Sequence, residues 1–270
     1  MSLPLIDGRI TECAPHVAQE TGGEVCSPPD IIKRMNSIIK EKNPKFNSND
    51  PLAILEELKK LLGCNTEACV LTKIKAPAII KTHLKPEGPT DTSLLNNFNI
   101  DQCLAQYTKK YPNFCHIPFQ MIDFGTQWNN PLYNLDPINR KGKDCFGCVL
   151  NTDVSSGSGK HWFCLFIDLR GSAATIEFFN SSGNMPVQEV HEYMIVLQKR
   201  IEKNRECRIE IVSSIQIQKS RTECGPYSLY YIISRVEGIP LDTIRTIIKT
   251  RGIPDDKMTE FRKYCFRGDF

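Results

Sequence analysis

The stretch QKSRTECGPYSLYYIISRV, residues 218–236, predicts a helix with an unusual beginning. From Leu229 onward, apolar residues recur at helical spacing, and Pro226 suits a first turn, where its missing amide hydrogen is not needed. Cys224 therefore lies at the amino end of the helix, where free N–H groups and the positive end of the dipole favour an anion. We expect this environment to lower the pKa of the Cys224 thiol, which makes Cys224 a candidate nucleophile.

The sequence upstream of this helix predicts a β-sheet. GCVLNTDV (147–154) and HWFCLFIDL (161–169) are rich in strand-forming residues and are separated by a hairpin-type connection, SSGSG. Three more elements follow: a strand at ATIEFFN (174–180), an amphipathic helix over 187–204 and an alternating strand at CRIEIVSSIQIQ (207–218). This order predicts a mixed β-sheet packed by helices, an α+β or α/β architecture that we assign to the α+β class.

Helices with recognisable ends are predicted in the first part of the chain. Asp30 is a plausible N-cap for the amphipathic stretch PDIIKRMNSIIKEKN. Asp50 caps a second helix, which has Pro51 at its first position and Gly63 at its end.

A linker is predicted between these helices and the sheet. Residues 75–93 contain three prolines and a glycine, which are typical of a connection without regular structure. We therefore predict an N-terminal helical arm domain over residues 1–88 and a core domain over residues 89–270.

Composition limits the kinds of partner and compartment. A formal net charge of +3 on 270 residues is too small to argue for nucleic acid, which we do not expect to be required. Asp7 and Arg9 interrupt the N-terminus where a signal peptide needs an apolar stretch, and no run approaches the roughly 18 apolar residues of a membrane span. We expect no membrane association, and we expect the twelve thinly spread cysteines to be free thiols in a reducing, intracellular compartment.

Three further residues complete a candidate catalytic group around Cys224. His161 opens a predicted strand after a Gly/Ser loop and is better placed as a base than the other four histidines, of which His116 is predicted to lie in a loop. Asn180 ends the next strand, and its amide oxygen could hold the imidazole, as asparagine does in papain-like proteases. The Gln218 side-chain amide and the Cys224 N–H could stabilise an oxyanion.

Each of these residues also has an ordinary structural interpretation. A lone cysteine packs as a small hydrophobe, asparagine favours turns, and a histidine at a strand end often hydrogen-bonds a loop. Gln218 could be solvated on the polar face of its strand. The catalytic interpretation depends on the order and placement of all four residues together.

The three blocks that carry these residues resemble one clan of cysteine proteases. GKHWFCLFID (159–168), IEFFNSSGN (176–184) and QKSRTECGPYSLYYI (218–232) are similar to the motifs of the adenovirus-protease and ubiquitin-like (SUMO) protease clan. In that clan the order is His-Trp, an acidic residue or Asn, Gln, and Cys-Gly. Here the same order is His161-Trp162, Asn180, Gln218 and Cys224-Gly225, with the clan's gap of six between Gln and Cys (224 − 218).

Within the clan, the likeness is greatest to the viral polyprotein-processing branch found in African swine fever virus. That branch also has an asparagine in the third position and an N-terminal helical arm. A neutral Asn180 stabilises an imidazolium less than a carboxylate does, so we expect the Cys–His pair to ionise less completely than in acidic-triad relatives.

The resemblance implies a fold, a reaction and a substrate. The implied fold is a ubiquitin-like-protease core, and the implied reaction is peptide hydrolysis through a thioester on Cys224, with no cofactor. Trp162, which could otherwise be a core tryptophan, would roof a tunnel that selects Gly-Gly before the cut, with Gln218 also contacting substrate. The implied substrates are viral structural polyproteins, cleaved during virion maturation in the virus factories of the host cytoplasm and in the virion.

Two alternatives remain open from the sequence. The first is a deubiquitinase or deSUMOylase with the same chemistry acting on host conjugates. The second is a metal- or redox-binding module built on Cys145 and Cys148, although the chain has neither a second CxxC nor a nearby Cys/His pair at zinc-ligand spacing. We expect no bound metal, and the sequence leaves the oligomeric state open.

Overall fold

The structure, a computed structural model, describes residues 5–6, 9–212, 214–250 and 252–268. It divides into two compact units. The core unit contains the described residues of Met1–Asp7 and Pro89–Arg262, and the arm unit contains those of Gly8–Gly88 and Lys263–Phe270. Residues 263–268 thus group with the N-terminal helices.

The arm unit is helical. Its N-terminal segment forms five helices: α1 (Pro15–Thr21), α2 (Pro29–Lys42), α3 (Pro51–Leu62), α4 (Glu67–Lys73) and α5 (Pro77–His83). The predicted ends of α3 are confirmed, because the Asp50 side chain accepts from the Ala53 N–H and Gly63 has a left-handed φ of 62°.

Two predictions for the arm unit are wrong. In the described chain no side chain caps α2, and Asp30 lies inside its first turn, after Pro28 in the N-cap position. The predicted linker contains α5, because Pro77 stands at a helix start, where its missing N–H and fixed φ are favourable.

Two disulfides cross-link the arm unit. Cys13 bonds to Cys26 and Cys64 bonds to Cys69, whereas the other eight cysteines, Cys224 among them, are in no disulfide. The expectation of free thiols throughout is therefore wrong for these four residues.

The core unit is built on a five-stranded sheet with the order β1-β2-β3-β4-β5. The strands are β1 (Phe114–Met121), β2 (Cys145–Asn151), β3 (Trp162–Asp168), β4 (Ala174–Phe179) and β5 (Cys207–Ile211). The three central strands pair antiparallel, and each edge strand pairs parallel to its neighbour. The predicted β2–β3 hairpin and the mixed α+β architecture are confirmed.

Helices cover strands β2 and β3, which are buried along nearly their whole length. The helices that begin in the core unit are α6 (Asn97–Lys110), α7 (Gln188–Glu202), α8 (Cys224–Val236), α9 (Leu241–Thr250) and α10 (Asp255–Cys265). Helix α8 packs closely on the sheet, since a Cβ at Gly147 would lie 2.8 Å from the Cγ2 atom of Ile232. This packing fixes the amino end of α8, and with it Cys224, beside the start of β3. No helix in the described ranges is long and apolar enough to cross a membrane.

The last strand is shorter than predicted. Among the described residues of the alternating run 207–218, the β-strand covers Cys207–Ile211, and Ile215 is 51 % exposed. Strand β4 ends at Phe179, so the chain beyond β5 has no continuing partner strand. It pairs instead with a turn, in which the Ser181 carbonyl accepts from the N–H groups of Ile217 and Gln218 at 3.0 Å.

Strand β1 was not predicted, and His116 lies on it rather than in a loop. Pro118 and a register shift between Ile117 and Gln120 interrupt the local pattern. Both are tolerated because β1 is an edge strand, where a missing N–H and a bulge cost few ladder hydrogen bonds.

Candidate active site

His161 and Asn180 meet at one end of the sheet. The antiparallel register that pairs Cys164 with Phe179 brings the residue before β3 next to the residue after β4. The His161 Nε2 and Asn180 Oδ1 atoms are 2.7 Å apart. The predicted contact between base and orienting amide is therefore present.

The orientation of the Asn180 amide follows from its other neighbours. Its Oδ1 atom lies 3.1 Å from the Ser182 backbone nitrogen and 2.8 Å from the Ser182 hydroxyl. Because a backbone N–H only donates, the atom facing it must be the amide oxygen. This oxygen accepts, so the His161 Nε2 atom carries the hydrogen, and Nδ1 of the neutral ring is left to accept a proton.

Cys224 is the first residue of α8, as predicted, and is only 3 % exposed. Its sulfur interacts with the backbone N–H groups of Trp162, Gly225 and Cys224 itself. Trp162 directly follows His161 in the chain, so the thiol lies close to the backbone next to the predicted base.

The expected lowering of the Cys224 pKa is wrong. Burial raises the pKa of the Cys224 thiol above its usual value, and the three backbone N–H groups at the helix start oppose this effect only in part. A raised pKa favours the protonated thiol at neutral pH, and the N–H groups at the amino end of α8 contact the sulfur.

We expect alkylation of Cys224 by iodoacetamide to show this raised pKa. The thiolate is the reactive form, so the alkylation rate should keep rising above pH ~8.5, the usual thiol pKa. The rate would be measured by mass spectrometry across pH, with free cysteine as the reference. A rate that is already constant at pH 7 would contradict this expectation and indicate a preformed thiolate–imidazolium pair.

Gln218 is buried and held by its neighbours. Its Oε1 atom accepts from the Ser181 hydroxyl at 2.6 Å, and its Nε2 atom donates to the Ser220 carbonyl at 2.8 Å. A side-chain amide has two N–H groups, so one donor remains for a ligand. The alternative interpretation of Gln218, a solvated residue on the polar face of a strand, is therefore wrong.

Ser181 and Ser182 are site residues that sequence reasoning missed. Ser181 joins the Asn180 turn to the segment carrying Gln218, and Gly183 allows that approach, since a Cβ there would lie 2.5 Å from the Gln216 nitrogen. Serines directly after an asparagine that leaves a strand are a turn signal, which could have identified both.

Trp162 and Cys224 line one cleft of about 610 Å³, together with the loop between β2 and β3. The Trp162 Nε1 atom donates to the Leu95 carbonyl at 3.2 Å, and its ring meets Phe119 edge to face, with 6.2 Å between centroids. The indole is thus fixed as a wall of the cleft that holds the thiol.

The geometry argues against a shared ligand at Cys145 and Cys148. Both are buried in β2, three positions apart, so their side chains point to opposite faces of the sheet. Among the described residues, no group of three or more His, Cys, Asp or Glu side chains could hold a metal ion.

Comparison with known proteins assigns the chain to a family. Residues 97–268 match the Ulp1 protease family, C-terminal catalytic domain. The chain is 35 % identical to the SUMO-1 cysteine protease of African swine fever virus (isolate Pig/Kenya/KEN-50/1950) over 95 % of both chains. A crystal structure of the protease of that virus superposes with a TM-score of 0.79 at 31 % identity, covering 100 % of both chains. The chain belongs to the Ulp1 protease family and is a cysteine peptidase.

Proposed function

We propose that the protein cleaves viral structural polyproteins after Gly-Gly, through a Cys224–His161–Asn180 triad, during virion maturation. The observation that carries the proposal is the 2.7 Å contact between His161 and Asn180 beside the buried thiol at the start of α8. Sequence and structural similarity to the African swine fever virus protease extends over nearly the whole chain and supports the same type of use.

The proton moves through His161. In the resting site the thiol is protonated and the His161 Nδ1 atom is free to accept, because Nε2 donates to Asn180. As the sulfur attacks the scissile carbonyl, Nδ1 takes the thiol proton and then delivers it to the leaving amine. Water then hydrolyses the resulting thioester, and the same His161 nitrogen activates that water by accepting its proton.

Two hydrogen-bond donors stabilise the negative charge that develops on the substrate oxygen. The Cys224 N–H at the start of α8 is one, and the remaining N–H of Gln218 is the other. The Ser181 hydroxyl and Ser220 carbonyl fix the Gln218 amide in advance, so that little reorganisation is needed in the transition state.

The walls of the cleft support the proposed selection of Gly-Gly. The Trp162 indole is locked by Leu95 and Phe119 and cannot move aside without losing a hydrogen bond and a ring contact. A Cβ on Gly225 would lie 3.2 Å from the Leu95 side chain, so the start of α8 packs closely against the residue whose carbonyl holds the indole. Substrate residues without side chains fit such a passage best.

We expect Gly→Ala replacement at either position of a Gly-Gly-Xaa peptide to reduce kcat/KM strongly. One added methyl group in a closely packed site typically costs ~10–200-fold in discrimination. The comparison is made on matched fluorogenic peptides, with replacement of the residue after the cut as the control. Equal turnover of the Gly-Gly and Ala-Ala peptides would contradict the tunnel.

Removal of ubiquitin-like modifiers is the second candidate function, because the matched African swine fever virus protein is named a SUMO-1 cysteine protease. Assay of SUMO and ubiquitin conjugates against Gly-Gly-Xaa polyprotein substrates distinguishes the two uses. Our proposal predicts faster turnover of the polyprotein substrates. It also places the enzyme in the virus factories of the host cytoplasm and in the virion, which fractionation of infected cells would test.

A further inference from the structure

The segment over residues 214–223 carries Gln218 and leads directly into Cys224, but it contains no helix or strand. Asp255, the first residue of α10, holds its first part. The Asp255 carboxylate accepts from the N–H groups of Lys219 at 3.0 Å and Ser220 at 2.7 Å. It also accepts from the Tyr227 hydroxyl on α8 at 3.0 Å. One side chain therefore joins the Gln218 end of the segment to the nucleophile helix.

The other end of the segment is held by a buried ion pair. Arg262 on α10 donates from Nε to the Glu223 carboxylate at 3.0 Å and from Nη2 to the Thr222 carbonyl at 3.1 Å. Its third nitrogen, Nη1, donates to the Ser93 carbonyl at 2.7 Å. Arg262 is 0 % and Glu223 1 % exposed, and Glu223 immediately precedes Cys224.

The role of this ion pair is not ordinary helix capping. Glu223 occupies the N-cap position, but within the described residues its side chain makes no capping bond to α8. Burying two charges gives little net stability compared with an apolar pair, and such pairs are retained in some proteins because they impose one geometry. Here the ion pair fixes the position of Glu223, the residue that precedes Cys224 in the chain.

We propose that helix α10 is the positioning element of the nucleophile, with Arg262 and Asp255 as positioning residues for Cys224 and Gln218. This inference rests on the proposed role of Cys224. Neither residue touches the cleft; each acts on the backbone that presents the thiol and the oxyanion donor. Arg262 is suited to the task because its planar fork reaches three acceptors at once, which a lysine ammonium does not.

The ion pair also affects the charge beside the thiol. The Glu223 carboxylate is one of the groups that raise the pKa of Cys224, and Arg262 lies against that carboxylate. Two hydroxyl groups also face the Glu223 carboxylate, that of Thr259 at 3.3 Å and that of Thr222 at 3.4 Å. The Tyr227 hydroxyl and the Asp255 carboxylate lie nearby and are hydrogen-bonded to each other. Removing only the arginine leaves Glu223 unneutralised next to the nucleophile.

The test uses the full chain with Arg262→Gln, Arg262→Lys and the double variant Arg262→Gln/Glu223→Gln. We expect Arg262→Gln to lower kcat by about 10²-fold, the typical effect of a misplaced reacting group, with KM little changed. We expect the pH profile of Cys224 alkylation to move upward in Arg262→Gln and back toward wild type in the double variant, because the lone carboxylate is gone. Arg262→Lys should have the wild-type pH profile of Cys224 alkylation but only part of the wild-type kcat.

A matched control separates positioning from lost stability. Arg235 forms a comparable buried ion pair with Glu177 at the other end of α8, 2.8 Å between Nε and the carboxylate. Arg235→Gln should lower the melting temperature without moving the alkylation profile. If it lowers kcat and shifts the profile as much as Arg262→Gln does, Arg262 has no special role and the proposal is overturned.

Asp255→Asn keeps the test decisive even if the Arg262 variants do not fold. Asp255 is only partly buried, and asparagine preserves its shape while removing one of the two carboxylate acceptors. We expect a folded protein with reduced kcat and unchanged KM. Wild-type kcat in Asp255→Asn would overturn the role of α10, whereas full activity in Cys224→Ser would instead overturn the proposed function itself.

Discussion

Cys224→Ser and His161→Ala are each expected to abolish cleavage of a Gly-Gly-Xaa peptide while leaving the fold intact. The serine hydroxyl is far less acidic than the thiol and is a weak nucleophile in this site. Loss of the imidazole removes the proton acceptor and donor, a contribution worth ~10²–10⁴-fold. Turnover is measured with peptide substrate, and the melting temperature reports the fold.

The two losses should be strongly non-additive, because a nucleophile and its base act as one unit. The double variant should be about as inactive as either single variant. Asn180→Ala provides the graded comparison, since it removes the contact that orients His161 but keeps the proton acceptor. Appreciable turnover in Cys224→Ser or His161→Ala would remove the assignment, and an Asn180→Ala variant as inactive as Cys224→Ser would overturn the ranking of roles.

Gln218→Ala is expected to lower kcat by ~10²–10³-fold with a smaller change in KM, the typical effect of removing one oxyanion donor. Gln218→Glu is the sharper variant. It keeps the size and the oxygen that faces the Ser181 hydroxyl, but it replaces the donor with an acceptor and adds a charge.

Ser181→Ala is the matched control for Gln218. It removes the hydrogen bond that fixes the Gln218 amide but leaves the donor in place, so kcat should fall less than in either Gln218 variant. An effect of Gln218→Ala confined to KM would instead make Gln218 a residue that only binds substrate.

Elements whose signals are local could be predicted from the sequence. The ends of α3 follow from Asp50, Pro51 and Gly63, all within one turn of the helix termini. The start of α8 follows in the same way from the Cys224-Gly-Pro sequence. The β2–β3 hairpin could be predicted because its two strands and their Gly/Ser turn are consecutive in the chain.

Elements that depend on distant partners could not be predicted. The run 207–218 alternates like one strand, but residues 214–218 have no partner strand in the described sheet, and Ile217 and Gln218 pair with the turn at Ser181. Strand β1 contains Pro118 and forms only because β2 offers it an edge.

In the candidate site, too, features with local signals could be predicted, and features that depend on distant residues could not. Order and spacing in the chain predicted the side chains that meet at the end of the sheet, including the His161–Asn180 contact. The environment of Cys224 was misjudged, because the helix start indicates a lowered pKa while the burial that raises it depends on tertiary packing. The Glu223–Arg262 pair spans 39 residues of sequence, and nothing local to either residue indicates the other.

The central claim, that Cys224 is the nucleophile of a Gly-Gly-specific peptidase, is tested most directly by covalent labelling. The intact protein is treated with an electrophile derived from a Gly-Gly peptide, and the modified residue is located by mass spectrometry. We predict a single adduct on Cys224, lost in Cys224→Ser and slowed in His161→Ala. An adduct on another of the cysteines outside the disulfides, or equal labelling by an Ala-Ala electrophile, would contradict the account.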